Sequence, residues 1–466
     1  MKYTPEQVKL WKVPHPKLDA AAPVMLEDET IAQRLQKVLE RMKAAGFETL
    51  VIYGDVEHSG NFEYLTGFMT RFEEGLLVLQ ADGAAALIVG NENMKLVKSS
   101  RVPAKAIHCP FFSLPNQPME GERPLEELLR EAGVQPGRKT GLVGWKLFTS
   151  KDGRNSHRFD VPSFITEAVQ QAAGADHVEN ATALLIGPHG ARRTNNANEI
   201  AHYEYGSALA SDGVIRAMEA IRPGMTELEL GGMLNAHGQR CSVTTICAAG
   251  PRYVKGNLYP TERPVQVGDA VSMTCGYRGG LASRGGYAVE NAAQLPDGCQ
   301  DYVQALSAPY FTAVTAWLEN IHPGMTGGEM FSLIDTVLPR ADYHWSLCPG
   351  HLTAEEEWLC SPIYEGSAEP LESGMLFQLD IIPSLPGYAG TGCENGIALA
   401  DEALREELRS RYPDLWQRFC QRREYIIRHL GIRLPECVLP LSSGVAYLRP
   451  YLLDKESALT YRHEEK

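Results

Sequence analysis

No apolar run in this sequence approaches the length of a membrane span, which argues against a transmembrane helix. The opening residues, Met1-Lys-Tyr-Thr-Pro-Glu-Gln-Val-Lys-Leu-Trp11, lack the hydrophobic core of a secretory leader. Ten cysteines are scattered from Cys109 to Cys437 with no paired spacing, a distribution suited to reduced thiols rather than a disulfide framework. Basic charge is also short. Against 58 Asp and Glu there are 44 Lys and Arg, a net charge of −14 and a pI near 5.5. That deficit argues against nucleic acid or an anionic membrane as main partner, because phosphate binding needs clustered Lys and Arg. Core-forming residues are plentiful: 466 residues, 44% of them hydrophobic, suffice for two domains. The expectation is a soluble, cytoplasmic, globular protein.

The first part of the chain alternates between helix and strand periodicities. Ile31, Leu35, Val38, Leu39 and Met42 recur at helical spacing, and Gly46 is placed to end that helix. Residues 48–53 read as a strand, 75–80 and 85–90 as a hairpin around Ala81-Asp-Gly83, and 139–144 as another strand. The polar stretch from Gly187 to Asn196 reads as a junction. Beyond it, Ile221-Arg-Pro-Gly-Met-Thr-Glu-Leu-Glu229 recurs one hundred residues later as Ile321-His-Pro-Gly-Met-Thr-Gly-Gly-Glu329. Each copy follows a helical run (197–219, then 300–319) and starts another (227–238, then 328–338). Pro-Gly-Met-Thr stops one helix, turns, and offers Thr as the N-cap of the next. Six identities in nine positions, in matching context, point to an internal duplication. Strands are expected at 243–247 and 271–275 in one half, and at 343–348 and 375–381 in the other. The tail from about 403 reads as a helix near 412–430 followed by Pro- and Leu-rich segments, a packing extension.

Tyr64-Leu-Thr-Gly-Phe68, Asn198-Glu-Ile200, Ile221-Arg-Pro-Gly-Met-Thr-Glu227, Gly268-Asp269, Pro349-Gly-His351 and Ser373-Gly-Met375 follow one another along the chain. This ordered set resembles the pita-bread family of creatinase, prolidase, and the methionine and Xaa-Pro aminopeptidases. The resemblance covers most of the chain and implies an α/β (α+β) fold. An N-terminal ribonuclease H-like α/β domain is then expected over residues 1–186, a pita-bread domain over 187–402, and a packed extension over 403–466. It further implies a homodimer and a small-molecule or short-peptide ligand.

Metal-dependent members of that family hold two cations with two Asp, one His and two Glu. Carried across, the first Asp falls on Thr274, and the second on Arg284 with a one-residue deletion or on Gly285 without one. The His is His351, the first Glu is Asp380 and the second is Glu394. A further substrate-touching His falls on Asn257, and the His and Glu expected after His351 fall near Trp358 and Leu359. Between Asp269 and Glu290 the chain has no carboxylate at all. Two divalent ions would therefore face too little anionic oxygen to remain.

Several roles follow for what is left. Arg284 is expected either to stand in for a cation, pairing with Asp380 or Glu394, or to be a solvated loop residue beside Gly285-Gly286. His351 is a candidate general base or ligand. Asp380 lies among Leu376, Phe377, Leu379, Ile381 and Ile382, where an unpaired carboxylate is costly, so a partner is expected. Asn257, Tyr259, Thr274 and Tyr277 are candidates to line the ligand pocket, each with an ordinary structural role as the competing account. Cys275, Cys348 and Cys393 neighbour site positions. Strand alternation turns Cys275 and Cys393 away from them, which favours small buried thiols. Glu355-Glu-Glu357 reads as an exposed helix start.

The residues thus point to a divergent family member with a dismantled dinuclear centre. It would bind, or hydrolyse a C–N bond in, a small peptide-like or amidine-like molecule without two metals and with no required cofactor. One alternative is an Xaa-Pro aminopeptidase or prolidase-type enzyme using a single manganese, cobalt or zinc ion on His351, Asp380 and Glu394. The other is a non-catalytic binding protein. Creatinase itself works without metal, but the region matching its catalytic His and Glu carries Asn257 and Gly286, so creatinase activity is not expected.

Overall fold

Local signals decide most of the architecture. The helix Asp28–Ala45 buries Ile31, Val38 and Met42 and ends at Gly46, whose φ of 72° is the left-handed conformation that a glycine adopts freely. The computed structural model describes residues 3–255 and 259–463. Two compact units are present, one of Leu26–Arg193 and the other of the residues up to Met25 with those from Thr194 onward.

The Leu26–Arg193 unit carries a six-stranded sheet. Its order is Lys105–His108, Ala85–Val89, Gly75–Gln80, Thr49–Gly54, Thr140–Val143 and Val178–Asn180. Gly75–Gln80 pairs antiparallel with both Ala85–Val89 and Thr49–Gly54, and the three outer pairings are parallel. Helices Leu125–Glu131 and Ser163–Ala173 cover one face, joining Leu128, Ile165 and Val169 to Val51, Val78 and Leu142 in a single core. The expected strands and hairpin all form.

In the other unit the duplicated motif folds twice in the same way. Helix Ala197–Ala220 leads through Ile221–Met225 to helix Glu227–Leu234, and helix Ala308–Asn320 leads through Ile321–Met325 to helix Gly327–Val337. Thr226 and Thr326 cap the second helix of each pair with full capping boxes to Glu229 and Glu329. The turn glycines match as well, Gly224 N–H donating to Val265 O and Gly324 N–H to Leu371 O, each at 2.8 Å.

Two four-stranded sheets accompany the helix pairs. The first runs Gly392–Glu394, Gly280–Tyr287, Ala270–Tyr277, Ile246–Ala249; the second runs His351–Leu352, Leu376–Gln378, Gly396–Leu399, Val438–Pro440. Leu209, Val214 and Leu230 from the helices pack on Val271, Met273 and Tyr277 of the first sheet. No strand forms at 343–348. Arg340–Tyr343 is a helical turn, His344 has a φ of 49°, and buried Trp345 donates Nε1–H to Leu338 O. The tail adds the strand Val438–Pro440, and Ser457–Tyr461 pairs antiparallel with Val8–Lys12. Among the described residues no helix is long and apolar enough to cross a membrane.

Candidate functional site

Sheet register decides which side chains meet. Thr274 pairs with Ile246 on one side and Ser283 on the other, and Ser283 pairs with Glu394. Residues directly opposite across strands share a face, so Thr274, Ser283 and Glu394 form one row. The Thr274 and Ser283 hydroxyls are hydrogen-bonded to each other at 2.6 Å.

Arg284, one residue on, pairs with Met273 and Cys393 and so belongs to the opposite face. Its guanidinium is buried. Nε donates to Tyr447 O at 2.8 Å, and Nη1 to Ser283 O at 2.7 Å and Glu394 O at 3.1 Å. Nη2 donates to Asn395 Oδ1 at 2.6 Å and also to Gly444 O. A guanidinium has five N–H donors, and all five are taken by these acceptors. The expected pairing of Arg284 with the Asp380 or Glu394 carboxylate is therefore corrected. Arg284 is neither a solvated loop residue nor a cation substitute, but a buried brace behind the Glu394 strand. Gly285, the ungapped alternative, pairs with Ser272 and Gly392 and brings no side chain.

His351, Asp380 and Glu394 do converge: one ligand atom from each lies within 4.8 Å of the others. His351 pairs with Gln378, and Asp380 follows two residues after Gln378 on the same face. Gly350 makes the approach possible. Its φ is +128°, and a Cβ there would sit 3.2 Å from Trp317 Cζ2 and 3.3 Å from Gln378 O.

Three further residues complete the cluster. Glu357 Oε1 lies 3.0 Å from His351 Nε2, closer than Asp380 Oδ2 at 3.9 Å. The Trp358 ring stacks on the His351 imidazole, centroids 4.0 Å apart. Gln378 donates Nε2–H to Leu281 O at 2.6 Å, tying the two sheets together. The run 355–357 is thus a loop and not an exposed helix start. Its Glu355 carboxylate accepts from Tyr203 OH at 2.6 Å, and the Glu357 side chain is only 16% exposed.

The remaining expected pocket residues lie elsewhere. Tyr277 points into the helix-packed core, donating to Leu234 O at 2.7 Å and accepting from Ala236 N–H at 2.8 Å. Tyr259 is 69% exposed, and its carbonyl accepts from Arg252. Asn257 lies outside the described residues. Cys275 and Cys393 are buried on the faces opposite Thr274 and Glu394, and Cys348 is half-buried.

Electrostatically the cluster is crowded with acid. Burial, opposed by His351 and reinforced by Glu357, pushes the Asp380 carboxyl up to about 6. Burial, then Asp380 and Glu357, hold Glu394 well above the usual carboxylate range, although part of its surface still meets solvent. Burial pulls His351 down, but Glu357 and then Asp380 outweigh it, leaving a net upward shift. His351 Nδ1 contacts Leu352 O at 3.2 Å, which assigns its proton to that side and turns Nε2 toward the acids.

Asp380 Oδ1 is buried without a partner. Together with His351 Nε2 and Glu394 it offers a hard, oxygen-rich donor set that fits one divalent cation. In the row they share with Glu394, Thr274 and Ser283 present neutral hydroxyls bonded to each other.

Ser283, Glu357 and Gln378 escaped the sequence reading. For Ser283 a signal existed: with Arg278-Gly279 as a two-residue turn, counting back from Thr274 lands on Ser283.

The sequence matches the model of metallopeptidase family M24 over residues 201–404 and that of the creatinase/prolidase N-terminal domain over residues 34–142. No curated protein matches it by sequence. Among solved structures, a prolidase from Thermococcus sibiricus superposes with a TM-score of 0.63 at 17% identity, covering 81% of this chain and 96% of that one. An Xaa-Pro dipeptidase from Bacillus anthracis gives a TM-score of 0.60 at 17% identity over 80% of this chain and 96% of that chain. A prolidase from Pyrococcus horikoshii gives 0.60 at 17% identity over 79% and 95%. These likenesses establish a shared fold.

Proposed function

Because the chain belongs to metallopeptidase family M24, with a creatinase/prolidase N-terminal domain ahead of the peptidase region, we propose that its acid–histidine pocket binds a small peptide-like or amidine-like molecule and cleaves a C–N bond in it with at most one divalent cation. One observation carries this reading: the 2.6 Å Thr274–Ser283 hydroxyl pair in the row with Glu394, where a second cation would need carboxylates.

With no ion bound, His351 Nε2, flanked by Glu357 and Asp380, accepts a proton from the attacking water and returns it to the departing amine. Asp380 and Glu394 hold the positively charged end of the ligand. The Trp358 ring keeps the imidazole in plane and covers it from solvent on one side. A single manganese, cobalt or zinc ion would be held by His351, Asp380 and Glu394, and when bound it polarises the scissile carbonyl or its water. The unpartnered Asp380 Oδ1 favours this single-ion form of the reading. A homodimer in the cytoplasm remains part of the proposal, carried by the family resemblance.

The test is elemental analysis of the purified protein, with hydrolysis of Xaa-Pro dipeptides and tripeptides followed in EDTA and in added manganese or cobalt. One ion or none per chain is expected. Two ions at full occupancy sink the reading, and a dimer that turns over no small amide in any condition replaces catalysis with binding alone.

A further inference from the structure

A second pocket lies away from the acid–histidine cluster and shares no lining residue with it. It has a volume of about 280 Å³, with Pro14, His15 and Lys17 on one wall and Tyr425, His429 and Ser443 on the other. The helix Pro413–Tyr425 and its continuation to Leu430 supply Tyr425 and His429, and the segment after strand Val438–Pro440 supplies Ser443. Tyr425 OH donates to Pro14 O at 2.7 Å and closes one edge. At another edge Arg422 grips Asp19 through two bonds of 2.7 and 2.9 Å.

Most of the charge around this pocket is already committed. Asp19 is held by Arg422, Glu424 pairs with Arg428 at 2.7 Å, and His15 pairs with Glu219 at 3.0 Å. Three groups are not. Among the described residues Lys17 Nζ has no hydrogen-bond or ion-pair partner, and His429 has only its ring contact with Tyr425, centroids 5.3 Å apart. Ser443 is 7% exposed, and its hydroxyl is buried with no partner. A buried hydroxyl without a hydrogen bond costs free energy, so a ligand atom that satisfies it is stabilised there. An ammonium, an imidazole and a hydroxyl on residues lining one space supply donors suited to a carboxylate. The flanking Pro14, Pro16 and Tyr425 faces suit an apolar body.

We propose that the pocket between residues 14–19 and the 413–430 helix binds a small carboxylate with an apolar body, gripped by Lys17, His429 and Ser443. Ser443 immediately precedes Gly444, whose N–H donates to Ser211 Oγ and whose carbonyl accepts from Arg284. The occupant therefore sits against the same backbone segment that braces the Glu394 strand.

Benzoate is a suitable probe, with benzamide as its uncharged isostere and inorganic phosphate as an anion without an apolar body. Isothermal titration of the full chain should give saturable one-to-one binding of benzoate, with benzamide and phosphate each about tenfold weaker or more. The double variant Lys17→Ala/His429→Ala should lose about tenfold in benzoate affinity, and Ser443→Ala should lose several-fold, with circular dichroism and melting temperature unchanged for the exposed pair. The proposal is overturned by absent benzoate saturation, by benzamide or phosphate binding as tightly as benzoate, or by undiminished affinity in the double variant. None of these readouts involves metal or turnover at the acid–histidine pocket.

Discussion

Thr274 and Ser283 face each other across a tight hairpin and bond hydroxyl to hydroxyl at 2.6 Å, in the row that ends at Glu394. On the proposed reading these two neutral groups lack the anionic oxygen that a second cation needs. Replacing both, Thr274→Asp with Ser283→Asp, should raise metal capacity from at most one to two manganese ions per chain, read by equilibrium dialysis. In EDTA the same variant should melt lower than the wild type, since added carboxylates repel Glu394, and manganese should restore the loss. A wild-type chain that already holds two ions would falsify this account of the row.

The acid cluster also makes a signed pH prediction. Burial pushes the Asp380 carboxyl up to about 6 in the folded chain, so the folded state holds this proton more tightly than the unfolded one. Its stabilising contribution is complete below the unfolded value and is lost as pH rises through about 6. Glu394, shifted in the same direction, extends the loss to higher pH. In EDTA, Asp380→Asn should gain stability relative to the wild type between pH 4 and pH 7, approximately the window set by these shifts. Urea titrations of both proteins across that range measure the difference and cancel the other carboxylates. A flat or opposite trend contradicts the crowding argument.

Glu357 raises the His351 imidazole against the opposing effect of burial. Glu357→Gln keeps the shape of the contact but removes the charge, so His351 should titrate at lower pH. Nitrogen-15 spectra of the histidine ring report this directly. An unmoved His351 titration would mean that the 3.0 Å contact is not the source of the shift.

Arg284 should prove structural. Its removal takes a donor from five buried acceptors, among them the Ser283, Glu394 and Tyr447 carbonyls and Asn395 Oδ1. Arg284→Met is expected to cost about 3 kcal/mol or more in chemical denaturation, on the scale of unsatisfied buried groups. Arg284→Lys should rescue little, because an ammonium cannot match a planar five-donor fork. A variant as stable as the parent would return Arg284 to the solvated-loop account.

What could be read from the chain follows the range of each interaction. Cap chemistry is local, so the Pro-Gly-Met-Thr repeats and Gly46 announced helix ends without tertiary knowledge. Strand alternation is also local, and it correctly sent Cys275 and Cys393 away from the row. Register is not local. A slip of one residue exchanges the faces of a strand, and the one-residue deletion that carries the second Asp onto Arg284 moves it to the face opposite Thr274. The same alternation that turns Cys275 into the core also turns Tyr277 there. Glu357 was hidden for a different reason. It reaches His351 from a loop without periodicity, held by the Tyr203–Glu355 hydrogen bond from a helix about 150 residues away. The 343–348 segment read as a strand by composition, but burial of Trp345 beside Leu338 overrides that preference.

The duplicated caps offer the most separable test of the fold. Thr226 accepts from Glu229 N–H at 3.1 Å and Thr326 from Glu329 N–H at 3.2 Å, while each Glu reaches back to its Thr N–H at 2.7 Å. Both boxes are at the surface, so truncation opens no cavity and isolates the capping contribution. Thr226→Ala and Thr326→Ala should each cost about 1 kcal/mol. The two caps share no partner, so the double variant should cost the sum, about 2 kcal/mol, within the scatter of independent sites. Urea denaturation of the three variants checks it. Equal single costs that add would show the two halves of the duplication using one device with the same energy. A double cost far above the sum would instead show that the halves lose stability together, through the sheets that Gln378 joins at Leu281.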